Sequence, residues 1–512
     1  MSNGTTSSYT PAKTGYSRVF LIEGRARPDH TPVFQSCLKA GALEQSFGDI
    51  EKIECPSAAE YNQFDEIGEI QGAIERVTTT LTGRYAADLA SELLRIAKAR
   101  CDSDIHVHFG ACSDPRDFNT FTKAIIIEKS RSTNWSTEDV GALGSDENAK
   151  VDESSDISGR NIYEALPLTF AERCGDVVTN PVIDIVICDT PSCGACTDES
   201  DGCQNVFALT QQTVGSPGTV ADVIWTRDLF STQCNSDNID SLAVNQDANA
   251  LACIGDYLAV VSNAAGNLHY KTKTDIWNAV VGGWTAIATG FVAGGEPNDI
   301  WSIGTYAFAV GDGGYVYGTD DPTGGVVVLD AGVATSDNLN AVHAIGDNFA
   351  VAVGDNDAVI FTENQSTWST PSSTPGSAGN LLCVWAKNED EWWVGDDTGA
   401  LYYTIDRGET WTQKGIAGSG YTAIYDIAFS TDSIGYLAAA TSTPRGRILR
   451  TFADGGGAGS SGGWVILPEG VQALPLSDAI YAVAACNHDE NLVVGGGLAD
   501  DGSDGILMVG TD

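Results

Sequence analysis

"WWVGDDTGALYYTIDRGETW", Trp392 to Trp411, holds two short apolar runs, a Gly-Asp turn between them and a Thr/Asp/Gly turn ending on Trp. The runs Trp392-Trp393-Val394 and Leu401-Tyr402-Tyr403 are aromatic and β-branched, the residue types that suit a pleated surface, and the intervening Gly, Asp and Thr are turn formers. The pattern predicts a β-hairpin whose Gly/Asp turn needs positive φ, which Gly supplies at little steric cost. A lone hairpin with two apolar faces is marginal in water, so the stretch has to be one piece of a larger sheet assembly.

Copies of it follow one another along the chain. "FAVGDGGYVYGTDD" from Phe308 and "VAVGDNDAVIFTEN" from Val351 align with it; the shared glycines, Gly311, Gly354 and Gly395, lie 43 and 41 residues apart. Worn copies start at Val206, Leu258, Gly435 and Asn491, which makes seven units. Upstream runs such as "NLLCVWA" and "AIYDIAFS" add a strand to each unit, and the segment after each Trp adds another. Four short strands repeating every ~40–45 residues describe a propeller blade, and a closed ring buries both faces of every blade. Residues 205–512 are therefore expected to form a seven-bladed β-propeller.

The segment "TIDRGETW" carries Thr404, Asp406, Gly408, Thr410 and Trp411, and so resembles the Asp-box of sialidases, sortilin-type receptors and photosystem-assembly propellers. Degenerate boxes stand at "ENQSTW" and "TFADGGGAGSSGGW". The resemblance implies a structural hairpin in which the Asp caps the turn and the Trp packs between sheets. It does not carry sialidase activity over. That would need three arginines from different blades around a carboxylate, and beyond Cys203 there are only Arg227, Arg407, Arg445, Arg447 and Arg450.

Residues 1–187 have another texture. "RVFLIEG", "VFQSCLKAG", "GAIERVTTTLTGRY", "DIHVHFGA", "KAIIIEKSRS", "NIYEALPLTFAE" and "PVIDIVICD" have the length and β-branched content of strands. "YAADLASELLRIAKA" places Leu89, Leu93, Leu94 and Ala97 on one helical face. The polar stretch from Ser136 to Gly159 is expected to be a loop, arm or hairpin that gains order on meeting a partner. A β-sandwich or barrel with one helix and long arms, together with text such as "RVFLIEGRARPDHTPVFQSCLKAGALEQSFGDIEKI", "ERVTTTLTGRY", "CDSDIHVHFGACSDPRDFN" and "WSTEDVGALGSDENAKV", resembles the major tail-tube proteins of long-tailed bacteriophages. That resemblance covers about the first 200 residues and rests on general texture. It implies hexameric rings stacked into a tube with an acidic lumen.

The net charge is −42, with 33 acids against 18 bases through Cys203 and 36 against 9 beyond it. Acidity spread over both halves suits a solvated surface and argues against ordinary nucleic-acid binding, since phosphate clamps are scarce. The start "MSNGTTSSYTPAKTGYSRVF" lacks the apolar core of a signal peptide, and no apolar run approaches the ~18 residues of a membrane span. Assembly in a host cytoplasm is the expectation.

Between the two textures, "CDTPSCGACTDESDGC" places Cys188, Cys193, Cys196 and Cys203 in sixteen residues, out of thirteen cysteines in the chain. Disulfides stapling a domain junction at 188–204, or zinc held by four thiolates, both fit the spacing. His106 and His108 share a strand face but have no third ligand nearby, and "DPRD" at Asp114–Asp117 is turn chemistry. Paired turn acids such as Asp320-Asp321, Asp396-Asp397 and Asp500-Asp501 are expected to be solvated. "GDGG" lacks the Lys-Ser/Thr of a phosphate loop, and no G-x-S-x-G, H-E-x-x-H or nucleophile–base pair occurs.

These features lead to an expectation of a non-enzymatic structural virion protein, free of cofactors unless zinc sits at the cysteines. In this expectation it is a tail-tube subunit that binds copies of itself and other tail proteins and lets DNA pass without specific binding. The propeller is carried outside and touches a host glycan or protein. The alternatives are a non-polymerising adhesin or receptor-like propeller and, last, a glycan-active hydrolase.

Overall fold

A computed structural model describes the strands within residues 17–165 and most of residues 168–511; the longest intervals outside the description there are 189–204, 212–220, 227–233, 452–463 and 467–476. The chain divides into two compact units, Met1–Pro167 and Leu168–Asp512.

In the first unit the hydrogen-bonded path runs from Val33–Leu38 through Ser17–Glu23, Ser103–Phe109, Lys123–Thr137, Asp152–Gly159 and Ile74–Arg84 to Ala40–Phe47. The fifteen-residue strand Lys123–Thr137 does double duty. Its first part pairs Ser103–Phe109 on one side and Asn161–Ala165 on the other, and its last part pairs Asp152–Gly159. The strand Asp152–Gly159, "DESSDISG", falls in the stretch expected to be a loop, arm or hairpin, and it takes the hairpin form with the end of Lys123–Thr137. It is held between two partners, Ile74–Arg84 and Lys123–Thr137, so backbone pairing has overridden a polar composition. Glu51–Pro56 and Phe64–Ile70 form a separate hairpin. The expected helix at Tyr85–Ala99 and the Asp114–Asp117 turn lie outside the described residues.

The second unit is seven four-stranded antiparallel sheets. Blade 1 starts at Val182–Ile187, and the inner strands of blades 2 to 7 are Ala248–Ile254, Pro297–Ile303, Leu339–Gly346, Leu381–Ala386, Tyr421–Phe429 and Ser477–Ala485. Each inner strand packs against the next, and blade 7 returns to blade 1, so the ring is closed. All seven copies found in the sequence are second strands of blades.

Packing between blades follows the period of two. In the second strand of blade 4, Phe349–Gly354, the small Ala350 and Ala352 join the core shared with blade 3, while Phe349, Val351 and Val353 join the core shared with blade 5. Blade 3 repeats the scheme: Ala307 and Ala309 face blade 2, Phe308 and Val310 face blade 4. Small residues on one face and large ones on the other let twisted sheets nest around a ring at interior density.

The Gly/Asp turns do contain positive φ, but not at the glycine of the shared Gly-Asp pair. Gly311 and Gly354 are extended, with φ of −161° and −167°. They are required by close approach instead: a Cβ would stand 2.1 Å from the Glu296 carbonyl oxygen at Gly311 and 1.9 Å from that of Asn338 at Gly354. The positive φ falls further on, at Gly313 and Gly314 in one turn and at Asn356 and Asp357 in the other.

The ring closes with strands that fall, by their texture in sequence, within the first domain. Thr169–Arg173 is the outer strand of blade 7, paired with Gly505–Thr511 from Thr169↔Thr511 to Arg173↔Leu507, and Val182–Ile187 opens blade 1. The boundary therefore lies at Pro167/Leu168 rather than after residue 187. The seam between blades 7 and 1 is apolar, with Val182, Ile185, Val206, Ala482, Val494 and Leu507 among its buried members. Gly496 lets the second strand of blade 7 lie against blade 1, since a Cβ there would meet Val182 at 2.4 Å.

Cys188 is in a disulfide, one of the two readings of the cluster, but its partner lies outside the cluster. Cys188 is bonded to Cys253 and Cys174 to Cys234. Cys188 thus staples the inner strands of blades 1 and 2 rather than a loop at a domain junction, and its sulfur is not free to serve as one of four zinc thiolates. Cys193, Cys196 and Cys203 lie outside the described residues. Cys486 is disulfide-bonded, and Cys383 is free and buried.

Candidate functional site: the central shaft

Seven inner strands line the axis of the ring, each with an irregularity in its pairing, near the start in blades 1 to 5 and the second of two in blades 6 and 7. The residue following it is, blade by blade, Asp184, Ala250, Asp299, Ala341, Cys383, Asp426 and Ala482. The alternation has a steric logic. Each Asp reaches into the next blade, where an alanine at the same level leaves room for the carboxylate.

The three carboxylates make the same bridge. The Ile185 N–H donates to Oδ1 of Asp184 at 2.8 Å and the Leu251 N–H of blade 2 to Oδ2 at 2.7 Å. Ile300 and Val342 of blade 4 donate likewise to Asp299 at 2.8 and 2.7 Å, and Ile427 and Val483 of blade 7 to Asp426 at 2.7 and 2.8 Å. Buried amides left single by the strand irregularities gain an acceptor, and adjacent blades are tied at the axis. Asn249, Asn298 and Asn340, one level away, donate their side-chain amides to the carbonyls of Pro297, Leu339 and Leu381 in the next blade. Cys383 Sγ faces the Ile424 carbonyl at 3.5 Å.

Burial raises the carboxyls against the pull of these donors. Asp299 is pushed up to about 6 and Asp426 to about 7, with desolvation as the leading cause. Asp184 is raised well above the ordinary range by burial and then by the charges of Asp299 and Asp426. The three groups thus sense one another across a shared shaft. Their side chains keep some contact with solvent along the shaft, but protein surrounds them closely enough to strip most of their hydration.

Two residues further on, large side chains crowd one side. Trp301, His343 and Trp385 stand on blades 3, 4 and 5, opposite Val186, Ala252, Ala428 and Ala484. The His343 ring lies 4.4 Å from Trp301 and 4.1 Å from Trp385, and the two indoles are 5.6 Å apart. Side chains two blades apart can touch only near the axis, so this trio fills the shaft at that level. His343 accepts from the Ala386 N–H through Nδ1, and burial lowers it to about 3, leaving it a neutral packing group. At the other end Tyr425 and Tyr481 pack edge to face at 5.0 Å.

The residues singled out as an Asp-box sit in the outer turn of blade 5, away from the shaft. Asp406 accepts from the Thr404 hydroxyl and from the backbone and hydroxyl of Thr410, and these bonds outweigh burial to hold its carboxyl below the ordinary range. Arg407 and Gly408 take positive φ. Trp411 donates to the Ser373 carbonyl and packs 6.3 Å from Trp392. The Asp406 carboxylate is used within its own turn, which makes it a turn cap. Blades 3 and 4 reuse the device with Thr319/Asp321 and Thr362/Asn364, and the first of these is not recognisable as a box from sequence.

Sequence reasoning missed the shaft carboxylates. Their signal is the dipeptide Asp-Ile in "VIDIVI", "PNDIWSI" and "YTAIYDIAF", visible once inner strands are aligned. His106 and His108 lie on a strand paired with Ser17–Glu23 and Lys123–Thr137. Among the described residues no group of three or more His, Cys, Asp or Glu is arranged to hold a metal ion, and no helix is long and apolar enough to cross a membrane. Tied carboxylates, a neutral histidine and a cluster of aromatic rings join the blades at the axis.

No family model and no curated protein matches the chain. Similar solved structures include YCF48 from Cyanidioschyzon merolae, 14% identical over 67% of this chain and 98% of that one, with a TM-score of 0.48. YCF48 bound to D1 peptide is 16% identical over 68% and 96%, TM-score 0.47. The WD40 β-propeller domain of Doa1 is 11% identical over 68% and 97%, TM-score 0.45. Strand pairing and the closed contact between blades 7 and 1 define the propeller by themselves.

Proposed function

We propose that this chain is a structural virion protein: a tail-tube subunit whose first unit polymerises as stacked rings and whose propeller is displayed as a binding module for a host-surface protein or glycan. The observation that supports it best is the contrast between the units. The first ends its hydrogen-bonded path on Val33–Leu38 and Ala40–Phe47, strands with one described partner each, and such edges invite strand addition from neighbouring copies. The propeller is a closed ring whose outer strands run only two to five residues, a form suited to binding without polymerising. A charge of −42 suits a lumen through which DNA moves without adhering. Other tail proteins and copies of the chain itself are the partners in this reading, and the virion tail its location.

Electron microscopy of the purified full chain tests it. Tubes bearing regular knobs at the ring repeat are the expected result. A monomer at high concentration that binds glycan or protein would favour the adhesin reading instead.

A further inference from the structure

Blade 1, with strands Val182–Ile187, Val206–Thr210, Asp222–Thr226 and Asn235–Asn238, follows the blade 7 outer strand Thr169–Arg173 in the chain. Its outer strand is polar and mostly exposed. Both fully identified disulfides touch this blade. Cys174, just past the outer strand of blade 7, meets Cys234, just before the outer strand of blade 1, with Cα atoms 5.1 Å apart. Cys188, at the end of the inner strand of blade 1, meets Cys253 on the inner strand of blade 2, with Cα atoms 6.0 Å apart. Both spacings are normal for a disulfide. One staple thus sits at the rim on the 7/1 seam and the other at the shaft on the 1/2 seam.

Each seam also has contacts of its own. The 7/1 seam has its apolar core and the strand pairing of Thr169–Arg173 with Gly505–Thr511. The 1/2 seam has Phe207, Leu209, Val223, Leu251, Leu258 and Trp284, and Lys271 of blade 2 is paired in the interior with Asp237 of blade 1.

We propose that Cys174–Cys234 and Cys188–Cys253 form a redox latch on blade 1. With thiols reduced, the ring is closed by packing alone and blade 1 opens locally; oxidation locks it to both neighbours. Each lock forms by thiol–disulfide exchange with an external disulfide of the glutathione class. One protein thiolate attacks the external disulfide and releases one small thiol, and the second thiolate displaces the other. Two protein S–H bonds and one external S–S bond are exchanged for one protein S–S bond and two small thiols, which carry off the protons. A chain made in a reducing cytoplasm would therefore lock on release into an oxidising medium.

The test is hydrogen exchange of the full chain, oxidised and after reduction and alkylation, with peptide mapping to verify the two linkages. The staples close segments of 60 and 65 residues, for which the chain-entropy account gives a suppression of opening of about a thousandfold per bond. Reduction should speed exchange of Val206–Thr210 and Asp222–Thr226 by at least about a hundredfold while Phe349–Gly354 in blade 4 stays unchanged. The paired variants Cys174→Ser/Cys234→Ser and Cys188→Ser/Cys253→Ser should each reproduce part of the effect without reductant. Exchange unchanged by reduction would overturn the latch. So would uniform acceleration across all blades, which would make the bonds global fold determinants, or mapping that finds these cysteines paired elsewhere.

Discussion

Replacing Asp299 by Asn should change sign in its effect between pH 5 and pH 8. In the folded chain Asp299 is pushed from the ordinary 3.8 up to about 6, chiefly by burial. Between those values the folded chain holds a proton that the unfolded chain has released, so stability falls as pH rises through this window and the deficit is complete above about 6. A rise of that size corresponds to about 3 kcal/mol, an upper figure because the carboxylate keeps some solvent contact along the shaft. Asparagine removes that charge. It also keeps only one acceptor oxygen for the two N–H groups of Ile300 and Val342, which leaves one buried donor facing the amide NH2 at a cost of about 1–3 kcal/mol. At pH 5, where the wild-type group is largely neutral, the cost dominates and the variant is the less stable protein. At pH 8 the relieved charge offsets or exceeds it, so the variant equals or surpasses the wild type. Urea unfolding of both proteins at the two pH values measures the difference free of the general effect of the −42 charge. An equal destabilisation at both would refute the reasoning.

Three further outcomes follow from the same geometry. Gly354→Ala should cost at least about 1–3 kcal/mol through overpacking against the Asn338 carbonyl, while Gly346→Ala, with nothing within 4 Å of the new Cβ, should be close to neutral; thermal melts of the pair check this. Asp406→Ala removes the acceptor of the blade 5 turn and should lower stability by about 1 kcal/mol at neutral pH. Because its folded pKa is depressed, that loss should shrink as pH falls through the folded value. Cys383 is buried and its thiol pushed well up by burial, so the peptide containing it should stay unlabelled by a thiol reagent in the native state and label fully in denaturant.

The blades were legible because their information is local. Each second strand and its Gly-Asp turn sit within about fifteen residues, and their recurrence names the architecture. The reason for the glycine was not legible. Gly354 looks like a turn residue but is chosen for the carbonyl of Asn338, which immediately precedes the inner strand Leu339–Gly346. What closes the ring was harder still: Thr169–Arg173 finds its partner at Gly505–Thr511, and nothing in "TFAER" marks it as belonging to the last blade rather than to the preceding domain. The cysteines mislead for a related reason. Clustering in sequence suggests mutual pairing, but Cys188 bonds across a blade seam to Cys253, a choice that depends on which strands are neighbours. The shaft aspartates are single residues on strands more than a hundred positions apart, and their shared role appears only when the ring brings Asp184, Asp299 and Asp426 to one axis.

Closure of the ring by the strand just after Pro167 is the claim on which the boundary, the seam and the latch all depend. Hydrogen exchange resolved over residues 168–174 and 505–511 of the full chain tests it directly. The account predicts that the paired amides of both segments are protected to the same degree and lose protection together under mild denaturant. Exchange of residues 168–174 at the rate of an unstructured peptide, with residues 505–511 still protected, would contradict it.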